Sequence, residues 1–332
     1  MIEYPNKLDI IFDKLNHYKI IPIIVGGFVR DSLLGIKSKD IDIEIYNLSS
    51  YDKLSDILRE FGNINLVGKS FGVCKLTLDD LDLDFSFPRE DNKISSGHKG
   101  FDIKINTSLT FKEAASRRDF TINTIGYNPI KQKILDPFNG IQDLKRKILR
   151  AVDMQHFGED PLRVLRGVVF CARFNFQMDN KLKKLCSHMI ANNTLDELPS
   201  QRIFEEIKKL LTKAEKPSIG FKLLSELSNN MFKSLDIADK IPTLKLTHKE
   251  LNKLTNIILT NIQNPTCHDE LEKELIKITN PPSILQGRDL IKLGLKPSKE
   301  FSTILNKAYE AQLNGEFTNI DDAKEYLKRL LS

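Results

Sequence analysis

From Ile20 to Asn47 the chain reads IIPIIVGGFVRDSLLGIKSKDIDIEIYN. An isoleucine-rich run stops at Gly26-Gly27, a short amphipathic segment follows, and a second run alternates polar and apolar residues with Asp40 and Asp42 on one side. Alternation at period two marks a strand with one buried face, and a glycine pair marks a turn. The stretch therefore predicts strand, glycine turn, short helix, strand. Upstream, Leu8, Ile11, Phe12 and Leu15 recur at helical spacing and predict an amphipathic cover over residues 5–18. Ser49 or Ser50 is placed to cap a helix running to about Phe61. LVGKSFGVCKLTL and LDLDFSF are two alternating runs joined by Asp79-Asp80, and they predict a β-hairpin.

Residues 88–100, PREDNKISSGHKG, have no periodicity and read as a mobile loop. Ser108 to Asn123 reads as helical, and ILDPFNGIQDLKRKILR as strand, turn and basic helix, with Asp136 and Asp143 bracing the connector. Beyond Phe176 the spacing is helical throughout, broken at Pro217 and at Pro281-Pro282. The pattern predicts an α+β fold: a small mixed sheet with helices over residues 1–150, followed by all-helical stretches over 151–240 and 241–332.

At 332 residues the chain is long enough to bury a sizeable core in two or three compact units. Its formal charge of +5 suits an RNA partner without demanding one. The four cysteines, Cys74, Cys171, Cys186 and Cys267, lack a zinc-like pair spacing and read as buried reduced thiols of a cytoplasmic protein. No apolar run approaches the ~20 residues of a membrane span, so no membrane partner is expected.

Candidate chemistry concentrates on the alternating strand. Residues two apart share a strand face, so Asp40 and Asp42 bring two carboxylates to one point. That like charge is costly unless a cation sits between them, and hard oxygen ligands with room for water and phosphate suit Mg²⁺. Gly26 and Gly27 let backbone N–H groups approach an anion, and Arg30 is placed to add a guanidinium fork to the same phosphates. The hairpin's second strand aligns Asp80, Asp82 and Asp84.

The Glu159–Arg166 stretch, EDPLRVLR, starts a helix, with positions 160, 163 and 166 close to one face. A carboxylate accepts from an exocyclic amine while a neighbouring guanidinium donates to a ring nitrogen. Cytosine and adenine offer that edge, whereas uracil and guanine present a carbonyl oxygen to the carboxylate. An Asp160–Arg163 pair would therefore accept C and A and reject U and G.

GGFVRDSLLG followed closely by DID resembles motif A of the DNA polymerase β-like nucleotidyltransferases, in the branch holding bacterial tRNA CCA-adding enzymes and poly(A) polymerases. The resemblance continues through RRDFTIN (Arg117 to Asn123), DPFNGIQDLKRKILR (Asp136 to Arg150) and EDPLRVLRGVVFCARFNF (Glu159 to Phe176). It implies two-metal nucleotidyl transfer from CTP and ATP to a tRNA 3′ end. By resemblance Asp84 is the third carboxylate beside Asp40 and Asp42, with Asp82 in reserve. RRDxxxN marks Arg118, Asp119 and Asn123 as nucleotide-binding, and EDxxR makes Asp160 and Arg163 a protein template, with Arg166 fixing that pair or a phosphate.

The family also implies a flexible loop at 88–100 that helps switch from C to A, and a helical tail that grips tRNA. The chain departs from the family pattern at Gly167, where alanine is usual, and at Val169, where many relatives have arginine. A poly(A) polymerase, a partial enzyme adding only CC or only A, and an inactive RNA-binding scaffold share most of these motifs.

Overall fold

The computed structural model describes all residues except 1, 66–72, 80, 94–100, 229–235, 245, 264–267, 280–282, 293–294, 296–299, 314–315, 318 and 332. The first part of the hairpin run, Asp80 and Cys267 therefore lie outside the described residues. The chain divides into two compact units: residues 1–164 with 176–189 and 194–198, and residues 165–175 with 190–193 and 199–332.

In the first unit the opening stretch folds as its pattern predicts. After helix α1 (Asp9–His17), strand β1 (Ile21–Val25) leads through Gly26 into helix α2 (Gly27–Leu33), and strand β2 (Asp40–Tyr46) returns antiparallel to β1. Helix α3 (Tyr51–Leu58) is capped by Ser50, whose side chain accepts from the Lys53 amide. Strands β3 (Asn63–Asn65), β4 (Val73–Leu78) and β5 (Leu81–Ser86) follow. Further along come β6 (Arg89–Lys93), β7 (Phe101–Ile105), helix α4 (Phe111–Ser116), β8 (Gly126–Asn128), β9 (Lys133–Leu135) and helix α5 (Gly140–Arg146).

The main sheet has the order β3-β4-β5-β2-β1-β8-β9 and is mixed: β2 and β5 run parallel, and its other neighbours are antiparallel. Ile41, Ile43 and Ile45 of β2, Leu81, Leu83 and Phe85 of β5, and Cys74 and Leu76 of β4 are all buried. Period-two alternation then turns the intervening residues of these strands to the opposite face.

Two expectations are corrected. Of residues 88–100, read as a loop, 89–93 form a strand paired antiparallel with 101–105, Arg89 opposite Ile105 and Lys93 opposite Phe101, and 94–100 lie outside the described residues. Ladder bonds are made by the main chain, so a strand pair need not announce itself in apolar alternation. The helix expected over 108–123 is confined to α4, which starts at a Thr110–Glu113 capping box. Asp119 then bonds its neighbour's amide at Phe120 (2.8 Å), and residues 121–123 form a single 3₁₀ turn. A side chain that captures a nearby amide offers the backbone an alternative to the helix.

The connector is braced as expected. Asp136 accepts from the Gly140 and Ile141 amides, and Asp143 accepts from the Thr121 hydroxyl. After β10 (Ile148–Leu149) and α6 (Met154–Phe157) comes α7 (Leu162–Phe174), then β11 (Gln177–Met178) parallel to β10, and α8 (Asn180–Ala191).

The second unit is helical: α9 (Ser200–Lys213), α10 (Pro217–Leu227), α11 (His248–Gln263), α12 (His268–Thr279), α13 (Gly287–Lys292), α14 (Glu300–Leu313) and α15 (Ile320–Leu331). Pro217 opens α10 at its first turn, where its missing N–H costs nothing. Ile203, Phe204, Ile207, Leu210 and Leu211 form the buried stripe of α9. A separate cluster of Leu285, Leu290, Ala308, Ala311, Phe317, Ala323 and Leu327 closes the C-terminal helices. Cys74, Cys171 and Cys186 are buried thiols outside any disulfide, as read from the sequence.

Candidate active site

Strand register builds the site. Asp40 lies opposite Asp82 and Asp42 opposite Asp84 on the parallel pair β2–β5. Across the antiparallel pair β4–β5, Asp84 lies opposite Lys75 and Asp82 opposite Thr77. Two rows therefore cross three strands on one face: Asp42, Asp84, Lys75 and Asp40, Asp82, Thr77. They line a cleft of about 510 Å³. The register sets Asp84 rather than Asp82 level with Asp42.

Desolvation by the packed groups around it raises the Asp42 carboxyl above its ordinary pKa, although Asp42 keeps an exposed edge; the Asp84 and Asp40 charges push the same way, while Arg118 and Lys75 oppose them. Asp84 turns Oδ2 to the Lys75 ammonium at 2.7 Å. Among the described residues no three carboxylate, histidine or cysteine side chains close on one point as a formed metal site.

Gly26 breaks β1 with φ of +69°, the left-handed region that favours glycine, and a Cβ there would meet Asp42 Oδ2 at 3.6 Å. Arg30, which the sequence places toward a phosphate, is buried. Only 5% exposed, it donates Nε to Asp31 (2.7 Å) and Nη1 to Asn123 Oδ1 (2.7 Å). Asn123 in turn donates to Asp119 (2.8 Å). Arg30, Asp31, Asn123 and Asp119 are thus one buried chain of charge-assisted hydrogen bonds, which fixes the glycine-turn helix to the RRDFTIN segment.

Arg118 donates to the Asn123 carbonyl (2.8 Å) and to Glu44 (3.1 Å). Glu44 is buried, pairs more loosely with Arg117 (3.7 Å) and accepts from the Tyr46 hydroxyl (2.9 Å). Sequence reading missed Glu44 and Lys75. Glu44 extends the DID alternation by one more step and was visible as such. Lys75 reaches the row only through the β4–β5 register.

Asp160 caps α7, accepting from the Leu162 amide (3.1 Å). Arg163 donates to the carbonyls of His156 (3.1 Å) and Arg117 (2.9 Å), which ties the EDPLR turn to the RRD segment. Asp160 and Arg163 thus belong to the same compact unit as the carboxylate row. Within the second unit, Arg166 lies 4.0 Å from Glu206 and over the Phe170 ring, Val169 is buried, and Arg173 sits over the Phe174 ring.

Residues 23–150 match the family model of the poly A polymerase head domain, and 175–237 match the probable RNA- and SrmB-binding site of polymerase A. The chain is similar to a CCA-adding enzyme of Blochmanniella floridana, 33% identical over 249 residues, covering 74% of this chain and 57% of that protein. It is also similar to a multifunctional CCA protein of Neisseria meningitidis serogroup C, 31% identical over 288 residues, with 83% and 66% covered. The chain thus spans roughly three fifths to two thirds of these curated relatives. In fold it is similar to an apo CCA-adding enzyme structure (TM-score 0.61, 21% identity, 99% and 97% covered). It is likewise similar in fold to the Thermotoga maritima CCA-adding enzyme complexed with tRNA-CCA (TM-score 0.57, 20% identity, 100% and 97% covered).

Proposed function

This chain belongs to the family of CCA-adding tRNA nucleotidyltransferases and poly(A) polymerases, and from that premise we propose that it adds CMP and AMP to tRNA 3′ ends without a nucleic-acid template, using CTP and ATP. The observation that carries this reading is the level pairing of Asp42 with Asp84 on parallel strands, one step from Asp40 and against the Gly26 turn. Three parts are assigned: a nucleotidyltransferase head over 1–150, a neck with the base-reading helix over 151–240 and a tRNA-binding body over 241–332. The described residues include no helix long and apolar enough to cross a membrane, which is consistent with the cytoplasmic location we assign.

Nucleotidyltransferases of this family generally depend on a divalent metal. The donor set fits one: hard carboxylate oxygens brought to one face by the β2–β5 register, with Asp42 level with Asp84. Asp40, Asp42 and Asp84 would hold two Mg²⁺ ions. Bound there, the metal would lower the pKa of the attacking 3′-hydroxyl and offset charge on the leaving pyrophosphate.

The chain's own groups do the rest. The RNA 3′-hydroxyl attacks the α-phosphate, with the Gly26-Gly27 backbone close to the triphosphate. Arg118, aimed by Glu44 and the Asn123 carbonyl, steadies the triphosphate's charge. Arg30, Asp119 and Asn123 contribute to nucleotide binding by keeping that platform rigid. Asp160 accepts from the exocyclic amine of C or A, Arg163 donates to the ring nitrogen, and Arg166 holds the pair or a phosphate in place.

Two variants test these roles. Asp40→Ala is expected to lower magnesium-dependent turnover by about 10³-fold or more, and wild-type turnover would refute the carboxylate assignment. Arg163→Ala is expected to relax selection against UTP and GTP by roughly 10²-fold in kcat/KM. Unchanged selectivity in Arg163→Ala would refute base reading by this pair.

A further inference from the structure

Lys75 ends the row that begins with Asp42 and Asp84. It lies on β4 in antiparallel register with Asp84, which itself lies in parallel register with Asp42, so the three side chains leave the sheet at one level. Its Nζ stands 2.7 Å from Asp84 Oδ2, a charge-assisted hydrogen bond to the oxygen donor that the proposed third metal ligand would use. Thr77 is the corresponding residue of the neighbouring row and reaches Asp82 at 3.4 Å, so the ammonium is peculiar to the Asp42–Asp84 row.

The pair is open rather than locked. The Lys75 side chain is 52% exposed and that of Asp84 33%. A lysine ammonium on a flexible four-carbon stem can leave the carboxylate without disturbing the sheet. Asp84 has two candidate cations, one tethered and one from solution, and they compete for the same charge.

We infer that Lys75 is a tethered counter-ion of the carboxylate row: it occupies Asp84 in the metal-free protein and is displaced when a divalent ion binds, which weakens metal affinity. This rests on the proposed role of Asp84 as a ligand. It sets an in-built threshold for metal, because the apparent affinity falls with the fraction of molecules in which Asp84 is released. In the metal-free protein the same contact offsets repulsion between Asp42 and Asp84.

The test is Mn²⁺ binding to the purified chain, read by the electron paramagnetic resonance signal of free Mn²⁺, for wild type, Lys75→Met and Asp84→Asn. Lys75→Met keeps the length of the stem and removes the charge. It is expected to bind Mn²⁺ about three- to tenfold more tightly than wild type, and to show a larger rise in Tm on adding Mn²⁺. Asp84→Asn is expected to bind more weakly. Equal or weaker Mn²⁺ affinity in Lys75→Met, with Asp84→Asn weakened, would overturn the counter-ion role alone. Unchanged affinity in Asp84→Asn would overturn the ligand assignment and the counter-ion role with it.

Discussion

Two carboxylates held level on neighbouring strands repel each other, and the main chain rather than any side-chain preference keeps Asp42 and Asp84 there. Desolvation, more than that repulsion, disfavours the charged form of Asp42. Such an arrangement lowers stability in exchange for a place that draws in a cation, a familiar trade at functional sites. Asp42→Asn should therefore do two opposite things. In chelator it is expected to raise Tm by roughly 1–3 °C, because one of two facing charges is removed. With magnesium it is expected to lose turnover as severely as Asp40→Ala. Scanning calorimetry in EDTA decides the first point, and a lower Tm would mean that Asp42 stabilises the fold in its own right. Glu44 is the contrasting residue: a buried carboxylate two positions on, but matched by Arg118, Arg117 and Tyr46. Its pairing makes it an anchor for Arg118 rather than a further free charge.

At the scale of elements, the legible parts were those fixed by short-range pattern. Strand β1, the Gly26 turn, helix α2 and strand β2 follow from apolar runs and one glycine pair, and Ser50 and Pro217 mark helix starts by local chemistry. What could not be read was register. Nothing in DIDIE or LDLDF says that Asp42 faces Asp84, or that Lys75 joins them, because strand neighbours are set by the whole sheet. The β6–β7 pair was missed since main-chain bonds are blind to side chains, and the helix over 108–123 was overextended because the Asp119 side chain intervenes. The burial of Arg30 was not legible: the Asn123 that accepts from it lies 93 residues away. Helix α5 shows how tightly such long-range joins are packed. A Cβ on Gly140 would run into the Thr121 carbonyl oxygen and the Ile125 side chain. Gly140→Ala is expected to cost about 1–3 kcal/mol, measured as a lower urea midpoint at unchanged slope. An unchanged midpoint would show that the α5 contact yields easily.

At the scale of the molecule, the carboxylate row, the glycine turn, the RRD segment and the Asp160–Arg163 turn all belong to one compact unit. Of the residues assigned to the nucleotide, only Arg166 belongs to the second unit. The second unit supplies packed helices, with its own apolar cores along α9 and in the C-terminal cluster. One site is proposed to serve two bases, and the products formed on real tRNA ends show whether it does. Purified chain with Mg²⁺ is offered three tRNAs, ending before CCA, after C and after CC, with CTP, ATP or both, and the 3′ ends are sequenced. All three are expected to be completed to CCA and no further when both nucleotides are present, with C added before A. Addition of C alone, A alone or a long A tail would contradict it in favour of a partial enzyme or a poly(A) polymerase, and no addition at all would contradict the proposed catalysis.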